Sequence, residues 1–365
     1  MNGVDVFIVG GGPAGIATAL ALDSGQRTLI ADQRKAPWRK PCDGVLTPAS
    51  QSVLKAIGID PIRDFGARPV PALRVIDSDN GRESEITLSG HVIVPRSALD
   101  ERLQRLAKAR DNIRFLDSTR VLRICPHGEG FAIEVLREGR CVEIRPRLLV
   151  DASGAFGFSR RMIGPPLPRV IACQHWYRPH NGRIRFDWIF DRSASPFYLW
   201  AINNGSELAL GAIVPLGKAR QAAWAIQHRL APALDIKGSP YKTENALLAM
   251  PAGPEHLWFG MTGLLVAGEA SGLINSGTGE GISFGLRSGT LCGRAIACAG
   301  TNTAAASRIY REQIADVARE CDLKALHAGR LLDPRSRREL SSEDLLLGVR
   351  RAGIPVRPAS LAART

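Results

Sequence analysis

Residues 10–15 read Gly-Gly-Gly-Pro-Ala-Gly and follow directly on an apolar run rich in β-branched residues, Val4-Asp5-Val6-Phe7-Ile8-Val9. That run predicts a buried parallel strand. Good helix formers from Ile16 to Leu22 predict a helix behind the glycines. A G-x-G-x-x-G between strand and helix is the setting in which the pattern has a mechanism. Gly10 permits the tight turn, Gly12 lets backbone approach a pyrophosphate, and Gly15 lets helix and strand pack closely. Pro13 and Ala14 open the helix, whose N-terminus then faces phosphates. A second strand, Arg27 to Ala31, ends at Asp32-Gln33, where a carboxylate accepts hydrogen bonds from an adenosine ribose. A chance glycine turn would not carry strand, helix and acid in register. The unit predicts a dinucleotide site, without separating FAD from NAD.

The rest of the chain must therefore build around a Rossmann-like core. Its 365 residues are 45% hydrophobic and 23% charged, ordinary globular composition. No apolar run approaches the roughly 18 to 20 residues of a spanning helix. A strand-like segment at the N-terminus leaves no room for a signal sequence, so a cytoplasmic protein is expected. Net charge is +13, with 48 Lys+Arg against 35 Asp+Glu. Such a surplus favours nucleic acid, anionic lipid or phosphorylated ligands. The positive residues are scattered, however, with clusters at Arg34-Lys35 to Arg39-Lys40 and at Arg335 to Arg338. Nucleic acid is not expected as a partner, whereas peripheral membrane contact stays open. Seven Cys without a C-x-x-C pair argue against a disulfide framework or a zinc site, and no metal is expected.

Arg39-Lys40-Pro41-Cys42-Asp43-Gly44-Val45-Leu46 resembles the P-C-G-G-type stretch of the geranylgeranyl reductase-like flavoproteins. The resemblance implies that Lys40, Pro41, Cys42 and Gly44 lie near a flavin ring; Asp43 replaces the usual small residue. A buried Cys in an ordinary turn is the bland alternative. Val94-Pro95-Arg96 leads into Ser97-Ala98-Leu99-Asp100-Glu101-Arg102-Leu103, with apolar positions at helical spacing and Ser97 as the expected cap. This is similar to the family's R-x-x-L-D-x-x-L helix, whose arginine, here Arg96, approaches the cofactor. Leu148 to Gly154 resembles the second flavin motif, which implies Asp151 and Gly154 near pyrophosphate and ribose. Ser159-Arg160-Arg161 continues the likeness. Alternating segments at Ile113–Leu116, Val121–Cys125, Phe131–Leu136 and Cys141–Ile144 fit the small sheet over the adenine, with Val121 a cofactor contact.

Gly263 to Ile282 resembles the family's G-D-A-A-G…P-x-x-G-E-G-I, with Glu269 for the usual Asp and Ser276 where Pro is common. An apolar strand ending at Gly268-Glu269 would deliver a carboxylate to the ribityl hydroxyls. Gly279, Gly281 and Ile282 would then set backbone N–H groups against the flavin edge on which charge develops. Four motifs in order point to FAD.

Between them, Arg169–Tyr177, Arg183–Phe190, Phe197–Ile202 and Ser206–Ile213 predict antiparallel strands with turns at Asn181-Gly182 and Asn203-Asn204-Gly205. A helix is expected from Lys218 to Leu234. Phe197 to Ile202 is similar to the reductases' Y-x-W-x-F-P, which makes Tyr198 and Trp200 candidate substrate-pocket residues; simple core is the alternative. Helices are expected from Gly279 to Ala299 and from Ala304 to Leu332, followed by an Arg- and Pro-containing tail that could fray.

The expected fold is α/β: a Rossmann-like FAD-binding domain of glutathione-reductase type (1–68, 96–165 and 255–300) interleaved with an antiparallel-β substrate domain (69–95 and 166–254). A C-terminal helical segment and tail follow at 301–365. The resemblance, over about residues 1–300, implies an FAD-dependent oxidoreductase that passes a hydride from flavin N5 to a carbon–carbon double bond of a hydrophobic, prenyl-like substrate. Without a second nucleotide fingerprint, NAD(P)H would dock transiently or an external donor would supply electrons. Cys42 and Asp43 are candidate acids by position. The same scaffold supports hydroxylation and halogenation. A D-A-A-H-P stretch and a clean W-x-W-x-I-P are both absent, and halogenation is disfavoured. Monooxygenation of an aromatic, free or borne on a peptide or carrier, is the alternative; a non-catalytic or tRNA-binding protein on the same fold is the further one.

Overall fold

The computed structural model describes residues 3–36, 38, 40–128, 130–179 and 182–353. Arg39 in the basic cluster, Asn181 in the expected turn and the tail beyond Gly353 lie outside the described residues.

The four-residue strand Val6–Val9 is buried at every position, as are Thr28–Ala31 and Leu148–Asp151. Uninterrupted apolar strands suit a parallel sheet covered on both faces. In space the sheet runs Gly260–Met261, Leu264–Val266, Leu148–Asp151, Val6–Val9, Thr28–Ala31, Ile113–Leu116, parallel except at the first pair. On one face lies the helix Pro13–Leu20, wedged between the sheet and Ile282–Ala299. The two helices come unusually close: a Cβ on Gly289 would stand 2.2 Å from the Ala14 carbonyl oxygen, and one on Gly293 2.3 Å from that of Thr18. The other face carries a three-stranded antiparallel sheet, Thr119–His127, Gly130–Arg137 and Arg140–Ile144. Its Val121, Phe131, Ile133 and Val135 pack on Phe7, Leu29 and Leu149.

A seven-stranded sheet stands beside this core, in the order Lys242–Ala249, Arg169–Tyr177, Leu208–Pro215, Leu199–Asn203, Arg185–Phe190, Ala72–Asp77, Arg82–Thr87. It is antiparallel except between Arg185–Phe190 and Ala72–Asp77. The two-residue period divides its side chains. Ala172, Trp188, Trp200, Ile202 and Ile213 face one side; Cys173, Ile189, Leu199, Ala201 and Leu210 face the other, under residues 219–233.

Several expectations need correcting. The helix of the motif around Arg96 begins at Arg96 itself, with Pro95 as N-cap and no side-chain cap, so Ser97 sits inside the first turn. The expected helix from Lys218 to Leu234 is interrupted: Ala219–Ala225 passes into a π-helical turn, Ile226–Leu230, before Ala231–Ala233. Pro232 has no N–H to give and its ring crowds the preceding turn, which favours a widened one. The tail does not fray over 334–353. Asp333 caps Pro334–Glu339 by accepting from the Arg335 and Ser336 N–H groups, and Ser342–Gly353 buries Leu345, Val349 and Ala352. Their spacing marks a helix face.

Candidate functional site

A cavity of about 870 Å³ opens at the carboxyl ends of Val6–Val9 and Thr28–Ala31 and runs to the Trp188–Trp200 face of the seven-stranded sheet. The ends of parallel strands are where doubly wound sheets bind ligands.

The first end is backbone and a carboxylate. Gly10 has φ +100°, and a Cβ there would lie 2.5 Å from the Ala152 carbonyl oxygen. Gly12 is the opposite case, since a Cβ there would meet nothing within 4 Å. Helix Pro13–Leu20 has no side-chain cap, so its first N–H groups are left for another acceptor. Asp32 is buried at the strand end, accepting from the Gly11 N–H (3.0 Å) and the Arg34 N–H (2.9 Å), with the Arg34 side chain 3.2 Å away. Pro13, Ala14, Gln33 and Val121 line the same end.

Further along, Lys40 Nζ stands 2.6 Å from Glu269 Oε2, tying the 40–44 loop to the end of Leu264–Val266. Glu269 Oε1 accepts from the Ala249 N–H at 2.9 Å. Pro41, Cys42, Arg96 and Gly154 line the wall here. Arg96 is buried, 2.9 Å from Asp100. Burial pulls its guanidinium down, but the Asp100 carboxylate beside it outweighs that and holds it above its ordinary value. Cys42 Sγ accepts from the Gly44 N–H at 3.4 Å.

At the far end Asp43 Oδ1 accepts from Gln174 Nε2 at 2.8 Å. Burial, reinforced by the Asp43 charge, pushes the Tyr198 phenol well above its usual range. A Cβ on Gly279 would lie 3.1 Å from that hydroxyl. Gly281 and Ile282 complete the loop, and Trp200 faces it from the sheet.

Four of the residues singled out from sequence lie outside the lining. Asp151 is fully buried and accepts from the Ser153 and Ser159 N–H groups (2.9 and 2.7 Å), which shapes the turn carrying Gly154. Gly15, Gly44 and Gly268 serve close packing: a Cβ on them would fall 2.0 Å from the Gly10 oxygen, 1.9 Å from the Val94 oxygen and 2.7 Å from Ala14 Cβ. Sequence reasoning missed Gln174, Trp188, Glu280 and Gly353, which all line the cavity. Gln174 had a signal, a polar residue two places from Ala172 on an inward face. Glu280 stood inside the 279–282 glycine motif; its Oε1 accepts from the Ser283 N–H at 2.6 Å and so caps the following helix. Gly353 had no signal.

Open space beside Gly12, an uncapped helix end and a buried carboxylate at the next strand fit a pyrophosphate and ribose. A family model described as FAD binding domain matches residues 3–251. The chain belongs to the FAD binding domain family. This family member is 25% identical over 301 residues to protein CbrA of Escherichia coli strain K12, covering 79% of this chain and 82% of that one. Its fold is that of a geranylgeranyl bacteriochlorophyll reductase-like protein of Thermoplasma acidophilum (TM-score 0.75, 19% identity, 95% of each chain). The flavin-dependent brominase Bmp2 shares that fold (TM-score 0.73, 19% identity, 96% of this chain and 90% of that one). Membership of the family makes the chain an FAD-binding protein. Among its described residues no helix is long and apolar enough to cross a membrane.

Proposed function

We propose that this family member reduces a carbon–carbon double bond of a hydrophobic, prenyl-like substrate. Gly10, Gly12, Pro13, Ala14, Asp32, Gln33 and Val121 would hold the dinucleotide of FAD. Lys40, Pro41, Cys42, Arg96, Gly154, Glu269, Gly279, Gly281 and Ile282 would surround its flavin half, with Gly15, Gly44, Asp151 and Gly268 shaping the backbone behind them. Bound there, FAD supplies a hydride, its electrons drawn from NAD(P)H or an external donor.

One observation carries the reading. Beyond Gly279 the wall is formed by Val45, Leu73, Leu88, Ile202, Ile213 and Leu248, while the Asp43–Gln174–Tyr198 cluster sits at the Gly279 end. Apolar walls suit a hydrocarbon chain. Addition of a hydride to one olefinic carbon obliges a proton to reach the other. Tyr198 keeps its proton, because burial disfavours a phenolate, so it would position substrate rather than act as the acid. Asp43, oriented by Gln174, would protonate the olefin from its own protonated form and take another proton from solvent between turnovers, and Cys42 is the second candidate acid, lining the wall beside Arg96.

A second reading rests on a different feature. Phe186, Trp188, Tyr198 and Trp200 line the chamber together, and rings suit an aromatic substrate, free or carried on a peptide, for hydroxylation. The two readings separate in one experiment. Enzyme photoreduced without oxygen is mixed with a prenyl olefin, then in a parallel run with oxygen and an aromatic ligand. Anaerobic return of the oxidised flavin spectrum with a saturated product is the expected result. Reoxidation confined to the oxygen run, with a hydroxylated aromatic as product, would overturn it.

A further inference from the structure

We propose that the C-terminal helix Ser342–Gly353 is the end wall of the substrate chamber and that Gly353 determines how long a substrate it admits. The inference rests on the chamber being the substrate site.

Three sets of contacts place the wall. Leu345, Val349 and Ala352 are buried in the same apolar cluster as Leu73, Trp188, Tyr198 and Trp200. Gly353 lines the cavity together with Trp188 and Thr278; a Cβ there would stand 3.0 Å from Thr278 Cγ2 and 4.0 Å from Trp188 Cζ3. One residue back, Ala352 Cβ is 3.4 Å from where a Cβ on Gly277 would be, and Ala328 Cβ, on Thr303–Leu332, is 3.1 Å from it. The helix end thus abuts the loop that leads into Gly279. A side chain at 353 has two places to go, against Thr278 or into the chamber, and both shorten the space beyond that loop.

The wall is held in place by ion pairs rather than by chain continuity alone. Arg337, itself buried, lies 3.3 Å from Asp77 and pairs with Asp79 as well, both from the turn end of the Ala72–Asp77/Arg82–Thr87 hairpin. Arg82 reaches back, donating at 2.6 Å to the carbonyls of Arg337 and Leu340. The C-terminal arm is therefore clamped to the edge of the substrate sheet just before the helix Ser342–Gly353 begins. Such fixed walls discriminate by shape, since one methylene that an apolar pocket accommodates or rejects is worth about tenfold or more in affinity.

The test compares native protein, Gly353→Phe and Gly353→Ala, all carrying FAD. Quenching of tryptophan fluorescence reports binding of geraniol, farnesol and geranylgeraniol, and in parallel of 4-alkylphenols from methyl to octyl. The expected result is a length-selective loss: Gly353→Phe weakens the longest ligand of a series by about tenfold or more and the shortest hardly at all, while Gly353→Ala shows the same length selectivity to a smaller degree. Which series the native protein binds decides between the prenyl and aromatic readings, and the wall is judged within that series. Equal weakening at every length, or none at any length, would overturn the proposal, as would a native protein that binds neither series.

Discussion

Replacing Arg337 by Met removes the ion-pair half of the clamp on the C-terminal arm, leaving the Arg82 hydrogen bonds to the carbonyls of residues 337 and 340, and keeps an apolar stem of similar reach. Arg337 is 1% exposed and lies over the Phe190 ring at 4.5 Å, with Asp77 3.3 Å away and fully buried. Breaking one side of a buried pair costs about 3–5 kcal/mol when the other charge is left uncompensated. Asp77 is not abandoned here, because Arg82 Nη2 and Asn80 Nδ2 each remain at 2.9 Å. Asp79 keeps the Arg192 N–H at 2.8 Å. The lower end of the range applies, about 3 kcal/mol, including a lost cation–π contact worth about 1 kcal/mol. That energy is local to the arm, so it should appear as sub-global opening. Amide exchange over 342–353 should accelerate by about a hundredfold, each 1.4 kcal/mol being a factor of ten, while the strand Val6–Val9 keeps its protection. Arg337→Lys should fall between, retaining charge without the planar fork. Native-like protection of 342–353 in Arg337→Met would refute the clamp; equal loss of protection in Val6–Val9 would refute its locality.

Gly211→Ala should disturb the chamber from beneath, since its Cβ would fall 2.0 Å from Trp200 Cζ2. Forcing the indole aside costs about 1–3 kcal/mol, and thermal melting with tryptophan emission should both shift; unchanged emission would mean that Trp200 is not seated there. The Asp77 carboxyl is buried, which raises its pKa, but hydrogen bonds from Asn80, Arg82 and Arg337 outweigh this and hold it below the ordinary 3.8. A depressed folded pKa contributes stability that is complete above 3.8 and is lost as pH falls through the folded value. Acid titration followed by exchange at 342–353 should show the arm loosening only below that pH, and Asp77→Asn should abolish the acid limb. Cys42→Ser should keep bound flavin and slow its substrate-dependent reoxidation; a lower melting point with an unchanged rate would make Cys42 simply core.

The strand-end part of the cavity was legible because its elements are local. Gly10, Gly12 and Asp32 lie on one strand–helix–strand unit, and period and turn residues alone locate them. The pairings of Lys40 with Glu269 and of Asp43 with Gln174 join residues far apart in the chain, and no spacing encodes them. Gln174 was hidden for a related reason: alternation says that it faces inward, not what it faces. The C-terminal wall was the least visible element. Arg335 to Arg338 stood out only as a cluster of positive charge, yet Arg337 is buried because two carboxylates from residues 77–79 meet it. Its burial is a property of the fold, and the helix that brings Gly353 to Trp188 follows from it. Ser97 misled in the other direction, offering cap chemistry two positions past the cap at Pro95.

Flavin content in the native protein and in Gly12→Val decides whether the cavity holds FAD on its glycine turn. A valine Cβ at that position meets no protein atom within 4 Å, so the variant should fold with native circular dichroism. It should nevertheless lose most of its flavin, because the space it fills is where backbone must approach the pyrophosphate. The native protein should be yellow and release FAD, resolved from FMN by chromatography after heat denaturation. Full FAD occupancy in a folded Gly12→Val protein, or FMN in the native one, would contradict the account.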